Sequence, residues 1–225
     1  MSTSQLSCLS PESFRLVCVG LTLAARVLWW MFHRISWDRR ESRRRWAGRP
    51  LPLRSLVVLG SGGHTMEMLA LLKDLDQDKY RCDFILGDTD STSLKKVQAT
   101  RPDLAENLER FHTIPRSREV GQSWTSTLFS TVKAFASCLG LVWKLRPQVL
   151  LVNGPGTCIP VVAAALFFEL VAFRSLSLVF VESVCRVKSL SMTGKLTYLV
   201  SDSFVVHWPE LAERYPKAQY LGVLL

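Results

Sequence analysis

The sequence predicts an α/β protein, a parallel sheet wrapped by helices, carried behind one membrane-spanning helix at the N-terminus. Three observations predict it. From Arg54 onward, short runs rich in Val, Leu, Ile and Phe alternate with helical patterns, as strands joined by crossover helices do. Two of those runs end in glycine turns, Leu59-Gly-Ser-Gly-Gly63 and Val152-Asn-Gly-Pro-Gly156, where a chain bends sharply from strand into helix. Ahead of them lies Phe14 to Phe32, an apolar stretch of 19 residues broken by Arg15 and Arg26 and followed by an arginine cluster.

Composition sets the outer bounds. A chain of 225 residues with 48% hydrophobic and 21% charged content is not disordered, and it suffices for one sizeable domain plus an appendage. Of the net charge of +9, residues 1–54 hold +7, because ten Arg there meet Glu12, Asp38 and Glu41 alone. The basicity thus belongs to the appendage. A local basic run beside an apolar segment points to a membrane surface, and no nucleic-acid partner is expected. The six cysteines are scattered, without a CxxC pair, and read as reduced thiols in a cytosolic domain. None of the four histidines lies four residues from another, so no metal site is expected.

Taken in order, residues 1–13 are polar and read as a short lumenal tail. Residues 14–33 read as a retained transmembrane anchor. The apolar run is long enough for a hydrocarbon core of about 30 Å, Trp29, Trp30 and Phe32 form an aromatic belt, and Arg26 lies close enough to that belt to snorkel. A cleaved signal peptide would place its charge before the apolar run and small residues after it. Here Arg34, Arg39, Arg40, Arg43, Arg44, Arg45 and Arg49 follow instead. The positive-inside rule then sets the domain in the cytosol, with residues 34–53 as an Arg-rich linker that either contacts anionic head groups or is simply solvated. Gly48-Arg-Pro-Leu-Pro52 marks the boundary of the domain, residues 54–225.

Within the domain, Ser55–Leu59 is the first strand and Thr65–Leu75 a helix with Met66, Leu69, Ala70 and Leu72. The turn Gly60-Ser61-Gly62-Gly63 with Thr65 aims helix N–H groups at whatever lies above the sheet edge, which suits an anion and phosphate best. The alternative is a plain strand-to-helix bend. The Gly-Lys-Ser/Thr ending of a P-loop is absent. Aligned on Gly60 and Gly62, the dinucleotide fingerprint finds Thr65 at its third glycine, and Asp83 and Asp88 are the nearest acids to its ribose-binding position. A membrane-tethered oxidoreductase is thereby disfavoured. Cys82–Leu86, the second strand, ends in Gly87-Asp-Thr-Asp90, so Asp88 and Asp90 are either neighbours of the glycine turn or caps of the next helix.

Phe111–Ile114 is a third strand, leaving through Pro115-Arg-Ser-Arg-Glu-Val120, whose Arg116 and Arg118 either clamp a diphosphate or form a surface ion pair. A long helix, Trp124–Leu145, precedes the strand Val149–Val152 and the second glycine turn, Asn153, Gly154 and Gly156. Two such turns at one sheet edge make a crevice. Ile159–Phe173, fifteen apolar residues, is too short to span and is either a buried helix or one with a face against the bilayer. Leu178–Val181 is a strand ending at Glu182-Ser183, where the carboxylate is a base, a substrate ligand or a cap. The helix Ser191–Leu199, the strand Ser203–Trp208 and the helical turn Pro209–Tyr215 follow. The apolar terminus Tyr220-Leu221-Gly222-Val223-Leu224-Leu225 reads as a surface for a partner chain.

With Gly60-Ser-Gly-Gly-His-Thr65, Gly87-Asp-Thr-Asp90, Ile114-Pro-Arg-Ser-Arg-Glu119, Asn153-Gly-Pro-Gly-Thr-Cys158, Val181-Glu-Ser-Val-Cys-Arg186 and Leu190-Ser-Met-Thr-Gly194 in this order, the chain resembles the asparagine-linked glycosylation protein 14 family from about Leu56 onward. The resemblance implies a single Rossmann-like domain, the acceptor-binding N-terminal half of a GT-B glycosyltransferase divided between two chains, similar to that half of the bacterial lipid II-forming GlcNAc transferase. It implies a subunit inactive alone, anchored at the cytosolic face of the endoplasmic reticulum. Its partner would be the soluble asparagine-linked glycosylation protein 13 homolog, docked on the C-terminal segment. The complex would add the second GlcNAc to GlcNAc-pyrophosphate-dolichol in N-glycosylation. It would do so without a cofactor held by this chain, since the UDP-GlcNAc donor belongs to the partner. Inverting transfer needs a base near the acceptor hydroxyl, for which His64, at a helix N-terminus, is the first candidate and Glu182 the second. The competing reading is a scaffold that recruits the catalytic subunit and does no chemistry.

Overall fold

The computed structural model describes residues 11–35, 48–116, 124–172 and 175–224. The chain forms two compact units, residues 1–37 and residues 38–225. In the first, helix α1 (Pro11–Ile35) opens with Pro and carries Glu12 in its first turn, both favourable at a helix start. Its stretch Glu12–Phe32, 21 residues with mean hydropathy 1.5, is long and apolar enough to cross a membrane. Leu16, Leu21, Leu28 and Phe32 are exposed along it. The tail at residues 1–10 and the arginines Arg39, Arg40, Arg43, Arg44 and Arg45 lie outside the described residues.

Among the described residues the second unit is a parallel sheet of seven strands in the order β3-β2-β1-β4-β5-β6-β7. The strands are β1 (Leu53–Val58), β2 (Tyr80–Gly87), β3 (Phe111–Ile114), β4 (Val149–Val152), β5 (Ser177–Val181), β6 (Ser203–Val206) and β7 (Ala218–Tyr220). Between them run α2 (Gly63–Leu71), α3 (Ser93–Thr100), α4 (Pro102–Ala105), a 3-10 turn at Leu108–Arg110, α5 (Trp124–Leu145), α6 (Cys158–Ala172), α7 (Met192–Thr197) and α8 (Pro209–Arg214).

The strands read as near-continuous apolar runs because both faces of the sheet are covered. Side chains alternate between faces, so Leu56 and Val58 join the core beneath α5 and α6, with Leu150, Val152, Leu178, Phe180 and Phe204. Val57 and Leu59 join Phe84, Leu86, Met68, Leu69 and Val97 beneath α2 and α3. Phe180 and Phe204 stack across β5 and β6 at 4.8 Å, as do Phe84 and Phe111 across β2 and β3 at 4.7 Å.

This is the Rossmann-like α/β domain expected from the sequence, with differences at the edges. Helix α2 ends at Leu71 and not at Leu75, where the chain passes into turns. Strand β6 ends at Val206, two residues short of the expected Trp208. Helix α6 is neither wholly buried nor wholly exposed: Val161, Val162, Ala164 and Ala165 face the core, while Phe167 and Val171 face outward. Phe173 lies outside the described residues. Helices α3 and α4 and the edge strand β7 had no assigned bounds, because a half-polar eight-residue helix and a three-residue strand carry little periodicity.

Candidate functional site: a crevice at the switch point of the sheet

Strands β1 and β4 are neighbours, pairing Ser55 with Val149, Leu56 with Leu150 and Val57 with Leu151. The chain leaves β1 toward one edge of the sheet and leaves β4 toward the other. The loops at their carboxyl ends therefore part, opening the crevice in which α/β sheets bind ligands. Both glycine turns lie there, as the sequence led us to expect.

The turns touch. A Cβ on Gly60 would overlap the Pro155 ring and come within 2.9 Å of His64 Cβ, so only glycine permits the approach. Asn153 Nδ2 donates to the His64 carbonyl at 2.7 Å, tying the second turn to the first turn of α2. Gly154, at φ 89°, faces the His64 ring, with its Cβ direction 3.5 Å from Cε1 and 3.8 Å from Glu182 Oε1. Ser61, Gly62 and Gly63 are exposed at the mouth, and no side chain caps the N-terminus of α2. Its N–H groups are thus open to a ligand.

Thr65 is placed otherwise than expected. It is buried, its hydroxyl donates to the Gly60 carbonyl, and it lies 2.6 Å from the Ser93 hydroxyl. Ser93 in turn donates to Asp90 Oδ2 at 2.5 Å. Thr65 therefore braces the glycine turn from within. Asp90 completes that brace, accepting Thr92 N–H at 3.1 Å and Ser93 N–H at 3.0 Å, as a capping carboxylate does. Burial opposes its charge, but these donors outweigh burial and hold its carboxyl below the usual range.

His64 is one-third exposed, and its Nδ1 lies 3.3 Å from Glu67 Oε2 one turn along the same helix. Glu67 Oε1 accepts the Ser183 hydroxyl at 2.7 Å. The carboxylate is thus fixed from one side by β5's exit loop and fixes the imidazole on the other. With Nδ1–H pointing at Glu67, Nε2 is left to accept a proton.

Glu182 is a different kind of group. Only 1% exposed, it accepts Ser183 N–H at 3.1 Å, Ser191 N–H at 2.8 Å and Ser191 Oγ–H at 3.1 Å. Burial pushes its carboxyl up, against the pull of the Ser191 and Ser183 donors and Arg186. It pins the loop after β5 to the start of α7, where Ser191 caps the Gly194 N–H at 2.9 Å.

The rim is basic. Arg116 lies over Gly87 at the end of β2, where a Cβ would come within 3.1 Å of its Cγ. Lys96 Nζ donates to the Gly62 carbonyl at 2.8 Å. Asp88 is exposed beside them, its N–H donating to Ile114 at 2.8 Å. Gly156 is exposed on the facing turn. Arg118 lies outside the described residues. Among the described residues, no group of three or more His, Cys, Asp or Glu could hold a metal ion.

At the far end, Tyr220, the last residue of the edge strand β7, and Leu221, Val223 and Leu224 beyond it are exposed. Leu224 N–H donates to His207 Nδ1 at 3.4 Å, holding the segment beside the residue that follows β6, with Gly222 at φ 87° between. Leu225 lies outside the described residues.

The pattern of the family described as "oligosaccharide biosynthesis protein Alg14 like" matches residues 55–224. The chain belongs to that family. Among curated Alg14 proteins, the "UDP-N-acetylglucosamine transferase subunit ALG14" of Homo sapiens is 43% identical over 174 residues, covering 74% of this chain and 81% of that protein. The subunit of the same name from Yarrowia lipolytica is 38% identical over 173 residues, covering 76% and 80%. Among solved structures, MurG of Acinetobacter baumannii superposes with a TM-score of 0.56 at 15% identity, covering 76% of this Alg14-like chain and 45% of MurG. The UDP-GlcNAc 2-epimerase of Neisseria meningitidis, solved with UDP-GlcNAc, gives 0.53 at 14% identity, covering 76% and 47%. The chain thus spans about half the length of the solved proteins it resembles, and this likeness concerns fold: one half of a GT-B-type architecture.

For the Alg14-like chain, sequence reasoning missed Glu67, Ser183, Lys96, Ser93 and Ser191 as parts of the site. Glu67 had a signal, its position three residues after His64 on one helix face. Ser191 had another, as a capping serine three residues before Gly194. Ser183, Lys96 and Ser93 meet the crevice through tertiary contacts alone.

Proposed function

We propose that this chain is the acceptor-binding and membrane-anchoring subunit of a UDP-GlcNAc transferase, working on GlcNAc-pyrophosphate-dolichol at the cytosolic face of the endoplasmic reticulum. Its soluble partner supplies the UDP-GlcNAc site. The observation that carries the reading is the His64 ring, held by Glu67 over a crevice formed by two glycine turns and flanked by Arg116 and Lys96. Family membership supplies the reaction class, since relatives carry the name UDP-N-acetylglucosamine transferase subunit.

In this reading the acceptor pyrophosphate lies against the N-terminus of α2 beside the second glycine turn, with Arg116, Arg118 and Lys96 balancing its charge. Asp88, exposed at the mouth, accepts a sugar hydroxyl. His64 Nε2 takes the proton from the acceptor hydroxyl as that oxygen bonds to the donor's anomeric carbon, and UDP departs with inversion on the partner's side. Glu67 stabilises the imidazolium so formed. Glu182 serves as the strut beneath, since a carboxylate 1% exposed and holding three donors does not reach an acceptor.

The C-terminal segment Tyr220–Leu225 and α1 favour recruitment as a second task of the same chain: Tyr220, Leu221, Val223 and Leu224 are exposed and apolar, and the helix is long enough to span. Membranes carrying this chain and its partner are assayed for GlcNAc transfer with wild type and His64→Ala, while partner recruitment is followed by sedimentation. Lost transfer with retained recruitment is expected. Retained transfer would leave a scaffold that does no chemistry.

A further inference from the structure

The loop between β5 and α7, residues 182–190, is open to solvent yet tightly braced. Cys185, Arg186, Val187, Lys188 and Ser189 are exposed along it. Their backbone is nonetheless fixed from several sides. Glu182 accepts Ser183 N–H and Ser191 N–H, closing the base of the loop. The Ser183 hydroxyl accepts Cys185 N–H at 3.3 Å and the Ser183 carbonyl accepts Arg186 N–H at 2.9 Å, which makes a tight turn. The Trp208 indole donates to the Val184 carbonyl at 2.7 Å, and Arg214 on α8 donates to the Lys188 carbonyl at 3.2 Å. A loop held in this way presents side chains at fixed positions, with little ordering left to do when a ligand arrives.

Arg186 is the cation at the tip of that turn. Arg101 pairs with Asp103 and Lys96 holds the Gly62 carbonyl, but among the described residues the Arg186 guanidinium makes no hydrogen bond or ion pair. Its charge is near enough to pull on the Glu182 carboxyl, whose Oε1 flanks the same Gly154 that faces the His64 ring. Ser183 ties the turn to the base: its hydroxyl donates to Glu67 Oε1, and Glu67 Oε2 lies 3.3 Å from His64 Nδ1. Arg186 and His64 thus hang from one hydrogen-bonded bracket.

The bracket also sets which side of the base each cation takes. In the order β3-β2-β1-β4-β5, His64 stands where β1 and β4 meet, Arg116 and Lys96 lie toward β2 and β3, and Arg186 lies toward β5. The acceptor carries its pyrophosphate at one end of a sugar ring and its attacking hydroxyl away from it. With the pyrophosphate between Arg116 and α2, the hydroxyl comes to His64, and the donor's diphosphate lies beyond, on the β5 side. In the displacement the acceptor oxygen bonds to the anomeric carbon as the bond from that carbon to the diphosphate oxygen breaks. The electron pair leaves on the diphosphate, His64 takes the proton, and the leaving group gains a negative charge that paired guanidinium N–H donors match.

We infer that Arg186 is a catalytic residue which this chain supplies to the donor held by its partner, binding the departing diphosphate of the nucleotide sugar. The inference rests on the reading of the crevice as the acceptor half-site and extends it across the subunit boundary.

The full chain and its soluble partner are assembled in nanodiscs as wild type, Arg186→Ala, Arg186→Lys and His64→Ala, and co-sedimentation of the partner is checked for each. Arg186→Ala should lower kcat by about 10²–10³-fold, as loss of one charge-stabilising donor does, with acceptor KM unchanged. Inhibition by UDP, which carries the departed charge, should weaken by roughly tenfold or more. Inhibition by UMP, which lacks the second phosphate, should not change. Arg186→Lys should recover part of both losses, because an ammonium keeps the charge without the paired donors. A wild-type kcat in Arg186→Ala beside a slow His64→Ala overturns the inference and leaves the half-site standing; wild-type rates in both variants overturn both. A slow Arg186→Ala beside a wild-type His64→Ala supports the inference and refutes the base. Unchanged inhibition by UDP overturns it too, and with a raised acceptor KM assigns Arg186 to the acceptor pyrophosphate. Loss of co-sedimentation in Arg186→Ala would make the residue an interface contact and likewise overturn the inference.

Discussion

Glu67 and His64 stand one helical turn apart on α2, with Nδ1 3.3 Å from Oε2, and the carboxylate is itself held by the Ser183 hydroxyl at 2.7 Å. A carboxylate so fixed sets the tautomer and plane of the imidazole. A positioned base contributes about 10²–10⁴-fold to rate. His64→Ala in the assembled transferase should therefore lower kcat by about that range. Glu67→Gln should lower kcat by roughly ten- to a hundredfold with little change in acceptor KM, since no contact to the acceptor is removed. A Glu67→Gln enzyme with wild-type kcat and a raised KM would show that Glu67 binds acceptor instead.

Gly60 is where the two turns meet, and its substitution tests whether their contact holds the crevice together. In Gly60→Ala the new methyl meets Pro155 and His64 Cβ, and the atoms facing it are a rigid ring and a helix start. Overpacking of this kind costs about 1–3 kcal/mol. A lower melting temperature is expected, together with loss of Asn153's hold on the His64 carbonyl, seen as faster amide exchange in the first turn of α2. An unchanged melting temperature and exchange pattern would mean that the turns part freely.

Much of this was legible from the chain. The strands β1 to β6 and the two glycine turns were visible because a strand buried on both faces is a continuous apolar run, and glycines ending such a run mark a sharp turn. The sequence placed both turns at one edge of the sheet, but that they touch depends on β4 pairing with β1, a contact between residues more than ninety positions apart that no local pattern encodes. The same limit hid the roles of Thr65 and Glu182. Both lie at strand or helix ends where ligands bind, yet Thr65 turns inward to Gly60 and Ser93, and Glu182 to Ser191. Burial alone separates a strut from a ligand here, and burial is a property of the fold.

Glu182 should report its role through stability. Both its oxygens accept backbone N–H groups, so the amide of Glu182→Gln sets one donor against another, a loss of about 1–3 kcal/mol. Burial raises the carboxyl's folded pKa above its ordinary 4.5, so between those values the native state binds the proton more than the unfolded chain does. Wild-type stability from this group therefore falls as pH rises through that window. The gap between wild type and Glu182→Gln should shrink as pH rises above 4.5. Melting curves of the nanodisc-held chain over a pH series measure it, and a gap that widens would show that the native fold favours the ionised form.

Arg116 and Lys96 make the last prediction, because they reach the crevice from different elements and do different work. Lys96 donates to the Gly62 carbonyl, so part of its effect is to hold the turn, whereas the Arg116 side chain lies over Gly87 at the end of β2. A guanidinium binds phosphate oxygens in pairs, which an ammonium does not. If the acceptor pyrophosphate sits in this crevice, Arg116→Ala should raise acceptor KM by roughly tenfold or more, for the loss of a charge-assisted hydrogen bond of about 1.5–3 kcal/mol. Arg116→Lys should recover only part of it. Lys96→Met should raise KM less and lower the melting temperature more. Neither change should alter the KM for UDP-GlcNAc, whose site is assigned to the partner. Titration of both substrates in the assembled transferase separates these effects, and a donor KM that shifts with Arg116→Ala while the acceptor KM stays fixed would move the pyrophosphate out of this crevice.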